Sequence, residues 1–109
     1  MEKEFFVAGV KFHESHLVMD ELEVGTEFDM VAEPDNKYDP NAVRLEFDYV
    51  KVNEIISTMI GYVPAKFSAE IAAFLEIGED PICLITELNP QSKPWERIKV
   101  VIKEGEDGG

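Results

Sequence analysis

Between two segments that read as strands lies Glu33-Pro34-Asp35-Asn36-Lys37-Tyr38-Asp39-Pro40-Asn41, with two aspartates, two asparagines and two prolines around one tyrosine. Asn and Asp side chains hydrogen-bond backbone groups in tight turns, and Pro fixes the backbone on either side. That role accounts for Pro34, Pro40 and Asn41. It accounts less well for Tyr38, because an aromatic ring among turn formers must either pack down or stand out. A ring that stands out offers a stacking face worth about 1–3 kcal/mol per nucleic-acid base. On residue types alone, a structural turn and a binding loop are equally open.

Other candidate chemistries are thinner. No Gly-rich phosphate loop, GxSxG elbow or His-Glu-x-x-His motif occurs. His13 and His16 stand at i and i+3 with Glu14 and Asp20 nearby, which is half of a metal site. Two histidines in an irregular polar segment are ordinarily surface residues, so no metal is expected. Cys83 is the single cysteine, which excludes an internal disulfide, and its apolar run predicts a buried, inert thiol. Carboxylates are so abundant that no catalytic pair stands out. Neither enzymatic activity nor a cofactor is expected.

The elements that must position the loop follow from periodicity. Glu4 to Phe12 is rich in aromatic and β-branched residues and reads as a strand, with Gly9 marking a bulge, bend or close approach. His13 to Glu23 is polar and irregular. Glu27 to Glu33 alternates, with Phe28, Met30 and Ala32 on one face and Glu27, Asp29 and Glu33 on the other. After the loop, Val43, Leu45 and Phe47 resume the inward face while Arg44 and Glu46 point out. Asp48 to Thr58 is mixed and reads as a long hairpin tip. Met59 to Val63 is a short strand stopped by Pro64. Ala65 to Ile77 is the clear helix, with Phe67, Ile71, Phe74 and Leu75 as its apolar stripe and Gly78 beyond its end. Ile82 to Leu88 and Arg97 to Lys103 are the last strands. Residues 1–103 therefore form one mainly β domain with one or two helices, expected as a small six-stranded barrel or strongly curved sheet. Residues 104–109 form an acidic, Gly-rich tail expected to be disordered.

A 109-residue chain with 45% hydrophobic residues and seven Phe supports one core without a disulfide or metal. No apolar run approaches the roughly 20 residues of a membrane span. The start, Met1-Glu2-Lys3-Glu4-Phe5-Phe6, lacks the features of a signal peptide. A reduced, cytoplasmic setting and no membrane partner are expected. The charge is the awkward fact: 23 acidic against 10 basic residues give a net charge of -13. Phosphate neutralisation supplies most non-specific nucleic-acid affinity, so the whole-molecule field opposes DNA. Only a local pocket can escape that field.

Four motifs in order resemble the HIRAN domain. They are Val7-Ala-Gly-Val-Lys-Phe12, Gly25-x-x-Phe28, Glu33-Pro34-x-Asn36-x-Tyr38-Asp39-x-Asn41-Ala42-Val43 and Ile60-Gly61-Tyr62-Val63-Pro64. They run from about Phe6 to the end of the helix near Ile77, and the last two strands fit the family's length. HIRAN domains occur at the N-terminal end of eukaryotic helicase-like fork-remodelling proteins and as small stand-alone or fused bacterial proteins. The resemblance implies an OB-fold-like β-barrel that, in helicase-linked members, captures the 3′-hydroxyl end of single-stranded DNA. By position, Tyr38 would stack on the terminal base and Asp39 would accept the 3′-hydroxyl. A carboxylate welcomes a hydroxyl donor and repels a 3′-phosphate. Asn36 and the loop backbone would hold the sugar and base edge. Lys11 would meet a phosphate, Phe12 would lie under a base, and Tyr62 would lie on the phosphate path.

Three departures weaken the phosphate grip. Lys11 and Phe12 replace the Arg and Tyr of DNA-binding members, losing the bidentate fork and one hydroxyl. Asp35 precedes Asn36 where those members have paired asparagines. Ala65 takes a lysine's place, and neighbouring Lys66 points about 100° away on the helix. The expected DNA-facing set is thus Lys11, Phe12, Asp35, Asn36, Tyr38, Asp39, Tyr62 and Lys66. The leading expectation is a DNA-repair-type module for single-stranded DNA or its 3′ end, working with a helicase or nuclease. Two alternatives stand beside it: an acidic protein-interaction domain with little DNA affinity, and a small-ligand or nucleotide pocket.

Overall fold

The computed structural model describes residues 2–10 and 19–105. Lys11, Phe12, His13, His16 and residues 106–109 of the expected tail lie outside the described residues. Six strands are present: β1 (Glu2–Phe6), β2 (Glu27–Ala32), β3 (Val43–Lys51), β4 (Glu54–Tyr62), β5 (Ile82–Leu88) and β6 (Ile98–Lys103). One α-helix, α1 (Ala65–Glu76), follows β4 through Val63-Pro64. All strands pair antiparallel in one sheet of order β1-β6-β5-β2-β3-β4.

The mainly β, six-stranded, one-helix expectation holds, but a continuous ladder does not close the sheet into a barrel. β1 and β4 are its two ends. Among the described residues they are joined by a single bridge just beyond β1, where Ala8 N–H donates to Tyr62 O at 2.9 Å and Tyr62 N–H to Ala8 O at 2.8 Å. Two ends of one sheet meet there, so the sheet curls on itself. Bulges assist the bend: Ile60 is the extra residue of β4 opposite Leu45/Glu46, and Thr86 that of β5 opposite Val100/Lys99.

β1 ends at Phe6, short of the expected Phe12, because the backbone turns through Gly9 at φ 73°, where L-residues with side chains are strained. The Asp48–Thr58 region is regular instead of mixed. It is the outer half of the β3–β4 hairpin, with Val50 opposite Ile55 and Lys51 opposite Glu54. Val52 (φ 51°) and Asn53 (φ 65°) form its two-residue turn. Val50, Val52 and Ile55 are all exposed there. Tyr49 packs toward the core and Thr58 is buried, but apolar Val50 and Ile55 occupy exposed positions, so residue type does not reveal the inside–outside alternation.

The core gathers Phe5, Val7, Phe28, Val43, Leu45, Ile60, Ile85 and the inward residues of β6, all nearly inaccessible. α1 lays Ile71 into this cluster, with Phe67 and Leu75 partly buried against it and the Phe67 ring stacked on Phe5 at 5.5 Å. Ser68, a polar residue on the same face, is also buried. Burial pushes the Cys83 thiol up to about 12, so it stays protonated at neutral pH. No helix among the described residues is long and apolar enough to cross a membrane.

Candidate functional site

Glu33 and Ala42 face each other at the base of the loop that joins β2 to β3, where Glu33 N–H donates to Ala42 O at 2.9 Å. Inside the loop, Asn36 Oδ1 accepts from the N–H groups of Tyr38 (2.9 Å) and Asp39 (3.0 Å). Asp39 Oδ1 accepts from Asn41 N–H at 2.8 Å. These are the Asx turns that the composition implied. Asp39 is also tied across the fold, because the buried Ser68 hydroxyl of α1 lies 3.0 Å from its Oδ2 and can donate to it. The same hydroxyl lies 3.0 Å from Ala65 O.

Against this loop opens a groove of about 520 Å³. Its walls are Asn36, Tyr38, Asp39 and Ala42 from the loop side, Ala8 and Gly9 after β1, and Tyr62, Val63 and Ala65 across the β4–α1 junction. Four expected site residues, Asn36, Tyr38, Asp39 and Tyr62, are thereby brought to one place. Asp35 and Lys66 do not line the groove: Asp35 is exposed, and Lys66 holds its Nζ 5.1 Å above the Phe67 ring. Lys11 and Phe12 lie outside the described residues.

The Tyr38 ring stands out, 86% exposed. Lys37 Nζ lies 5.2 Å from its centroid, a cation beside the ring that the sequence reading did not single out. Asn36 differs from its expected role. Its carbonyl oxygen serves two loop amides, and its Nδ2 donates to Glu33 Oε1 at 2.9 Å, so the side chain organises the loop. Tyr62 also turns inward, its hydroxyl donating to Glu33 Oε1 at 2.8 Å.

Glu33 is the hub of these contacts. Arg44, opposite Tyr62 in the β3–β4 ladder, donates from Nη1 to Glu33 Oε2 at 3.0 Å and from Nε to Glu46 Oε2 at 2.6 Å. Burial alone would raise the Glu33 carboxyl. The hydrogen bonds from Asn36, Tyr62 and Arg44, with the Arg44 charge, outweigh burial and hold it below its ordinary value. Burial, and then Glu33 as acceptor and as charge, push the Tyr62 phenol up, so it remains a donor at neutral pH. The sequence reading missed Glu33, Arg44 and Ser68 as parts of the site. The signal for the first two was the register: once Ala32 pairs with Val43, Glu33 and Arg44 share one end of the hairpin.

Gly61 explains the Gly-Tyr-Val-Pro motif. A Cβ there would run into the Ala8 carbonyl oxygen and come within 2.7 Å of Val7 Cγ1, so only glycine permits the bridge that forms the back of the groove. The groove presents a stacking ring, a carboxylate, a phenol and apolar walls. Each Asp39 oxygen has one internal donor available, and a carboxylate offers about four lone-pair sites, so two remain for a ligand.

No curated protein matches the chain in sequence. A protein from Lactobacillus plantarum shares its fold with a TM-score of 0.69 at 17% identity, over 96% of this chain and 100% of that one. The HIRAN domain of human HLTF superposes with a TM-score of 0.66 at 12% identity, over 97% of this chain and 78% of that one. At these identities the likeness is one of fold. The HIRAN domain family model matches residues 2–102, nearly the whole described structure, and so the chain belongs to the HIRAN domain family.

Proposed function

We propose that the chain is a non-enzymatic nucleic-acid-binding module that takes the 3′-hydroxyl end of single-stranded DNA. The observation that carries this reading is the exposed Tyr38 ring directly beside Asp39, whose carboxylate is held at the wall of a groove open to a ligand. HIRAN domains are known generally as nucleic-acid-binding domains, which fits a ring and a carboxylate placed together. Tyr38 stacks on the last base, and Asp39 accepts the terminal hydroxyl on its remaining lone pairs. The first turn of α1 adds an anion-friendly wall: no side chain caps it and it holds no acidic residue. We read the curled sheet as an OB-like barrel with one seam, between β1 and β4, at the back of this groove. In a cell the module would present DNA ends to a helicase or nuclease.

The net charge limits affinity more than it limits placement. Asp39 is the only carboxylate lining the groove among the described residues, and Lys37 stands next to the stacking ring. Binding is therefore weak and salt-sensitive. Fluorescence anisotropy at low salt, with short single strands ending in a 3′-hydroxyl or a 3′-phosphate, tests the reading. Tighter binding of the hydroxyl end is expected. Equal binding of the two ends, or none, overturns it. One observation favours a second reading, a protein-docking domain: the exposed Val50, Val52 and Ile55 cluster at the hairpin tip. That reading gains if DNA binding is absent and a purified protein partner is displaced by Val52→Asn.

A further inference from the structure

We infer that Glu33 is the positioning residue of the site. It sets the loop that carries Tyr38 and Asp39 through the orientation of the Asn36 amide. The inference rests on the binding reading above, and it begins from an asymmetry. An asparagine side chain has one accepting and one donating end of nearly equal shape, and the loop needs the accepting end to face two N–H groups. Asn36 Oδ1 meets Tyr38 N–H at 2.9 Å and Asp39 N–H at 3.0 Å. Reversed, its NH2 group would face two donors, and both amides would lose their partner. The orientation is decided at the other end, where Nδ2 donates to Glu33 Oε1 at 2.9 Å. A carboxylate only accepts, so it admits Asn36 in one orientation alone.

Glu33 can act as this reference because it is itself held from two other elements. Tyr62 of β4 donates to the same Oε1 at 2.8 Å, and Arg44 of β3 donates to Oε2 at 3.0 Å. One carboxylate thus ties the loop to two strands of the sheet. Its backbone clamps the loop as well, since Glu33 O accepts from Asn36 N–H at 3.0 Å. Glu33 does not line the groove. It acts through Asn36, and pre-organisation of the loop is what it contributes.

Glu33→Gln tests this with a decisive sign. The substitution removes a negative charge close to the groove, so on electrostatics alone it strengthens binding of a polyanion. If Glu33 positions the loop, it weakens binding instead. A glutamine oxygen that serves Asn36 and Tyr62 turns its NH2 group onto Arg44, donor against donor, and a flipped glutamine no longer restrains Asn36. The expected result is about a tenfold loss of affinity for a 3′-hydroxyl single strand, the size of one charge-assisted hydrogen bond. Glu46→Gln removes a charge from the same arginine without touching Asn36 and should leave affinity equal or slightly raised. Amide hydrogen exchange without DNA supplies the independent arm. Exchange at Tyr38 and Asp39 should accelerate in Glu33→Gln and stay unchanged in Glu46→Gln. Unchanged or tighter binding by Glu33→Gln, or unaltered exchange at those two amides, overturns the inference. If wild-type protein fails to bind DNA while exchange still accelerates, the binding reading falls and the positioning role stands.

Discussion

Asp39→Asn isolates the chemistry on which end selection rests, because it changes charge without changing shape. The fold should tolerate it. The asparagine oxygen can still accept Asn41 N–H, which lies 2.8 Å from Oδ1 in the native loop. Its NH2 group can donate to Ser68 Oγ, now 3.0 Å from Oδ2, and the Ser68 hydroxyl then donates to Ala65 O, also at 3.0 Å. What changes is the acceptor offered to the ligand. A hydrogen bond to a charged group contributes about 1.5–3 kcal/mol and a neutral one about 1, so the 3′-hydroxyl strand should lose about 0.5–2 kcal/mol, or roughly two- to thirtyfold, in affinity. The 3′-phosphate strand should move the other way. Two unit charges 4 Å apart repel by about 1 kcal/mol in water and about 4 near a protein surface, and that repulsion disappears with the carboxylate. The ratio of hydroxyl-end to phosphate-end affinity should therefore collapse by tenfold or more, read by anisotropy with both strands at one salt concentration. Equal weakening for both ends would refute the end-sensor reasoning, since it would mean that Asp39 only holds the loop.

Tyr38→Ala should weaken single-strand binding by about 1–3 kcal/mol, while Tyr38→Phe retains most of it, because the ring face and not the hydroxyl stacks. With the side chain 86% exposed, the melting temperature should stay within about 2–4 °C, so lost binding with little lost stability is the outcome to look for by anisotropy and calorimetry. Gly61→Ala should destabilise the fold by about 2–4 kcal/mol, combining overlap with the Ala8 carbonyl and the loss of two bridge hydrogen bonds, measured by urea unfolding. Asp29 stands directly opposite Glu46, and burial followed by Asp48, Glu27 and Glu46 raises its carboxyl above 3.8. The native state therefore holds this proton more tightly than the unfolded chain, and the charge opposes folding at neutral pH. Asp29→Asn should raise the melting temperature at pH 7 by about 2–4 °C, from roughly 0.5 kcal/mol of relieved like-charge contact. The gain should fade as pH falls and the wild-type carboxyl takes up its proton; a gain independent of pH would contradict the assignment.

The parts of the fold legible in the sequence are those where one face meets the core. β2 and the first half of β3 alternate because Phe28, Val43 and Leu45 are buried while Asp29, Arg44 and Glu46 look outward. The α1 stripe is legible for the same reason, except that Ser68 breaks it with a buried hydroxyl committed to Asp39 or Ala65, a partner 29 residues away that no local pattern announces. The outer β3–β4 hairpin is illegible because apolar Val50, Val52 and Ile55 are exposed while polar Thr58 is buried, so residue type does not track burial. The end of β1 at Phe6 depends on a backbone turn at Gly9, and the residue type only marks that position as permissive.

The same distinction runs through the site and resolves the tension between net charge and function. Tyr38 stood out because a ring among turn formers lacks a local purpose, and in the structure the ring stands out from the loop. Asn36 and Tyr62 line the groove, yet the sequence did not show that both donate to Glu33. Charge counting over the whole chain treats every carboxylate alike, yet these do different work. Glu33 and Glu46 are matched by Arg44, Asp29 sits in a like-charged cluster on the outer face of β2 and β3, and among the described residues Asp39 is the one carboxylate that lines the groove. A phosphate chain approaching the molecule meets the summed field, and its end meets one carboxylate, one exposed ring and the open first turn of a helix. Long-range repulsion lowers the rate and affinity of every encounter, while local geometry decides which end is kept. On the proposed reading, an acidic HIRAN domain would discriminate DNA ends that something else has brought near, and would find them poorly alone. Raising salt from low to physiological strength should accordingly cost it less affinity than it costs a basic DNA-binding domain, because screening relieves repulsion by the molecule as it weakens attraction at the site.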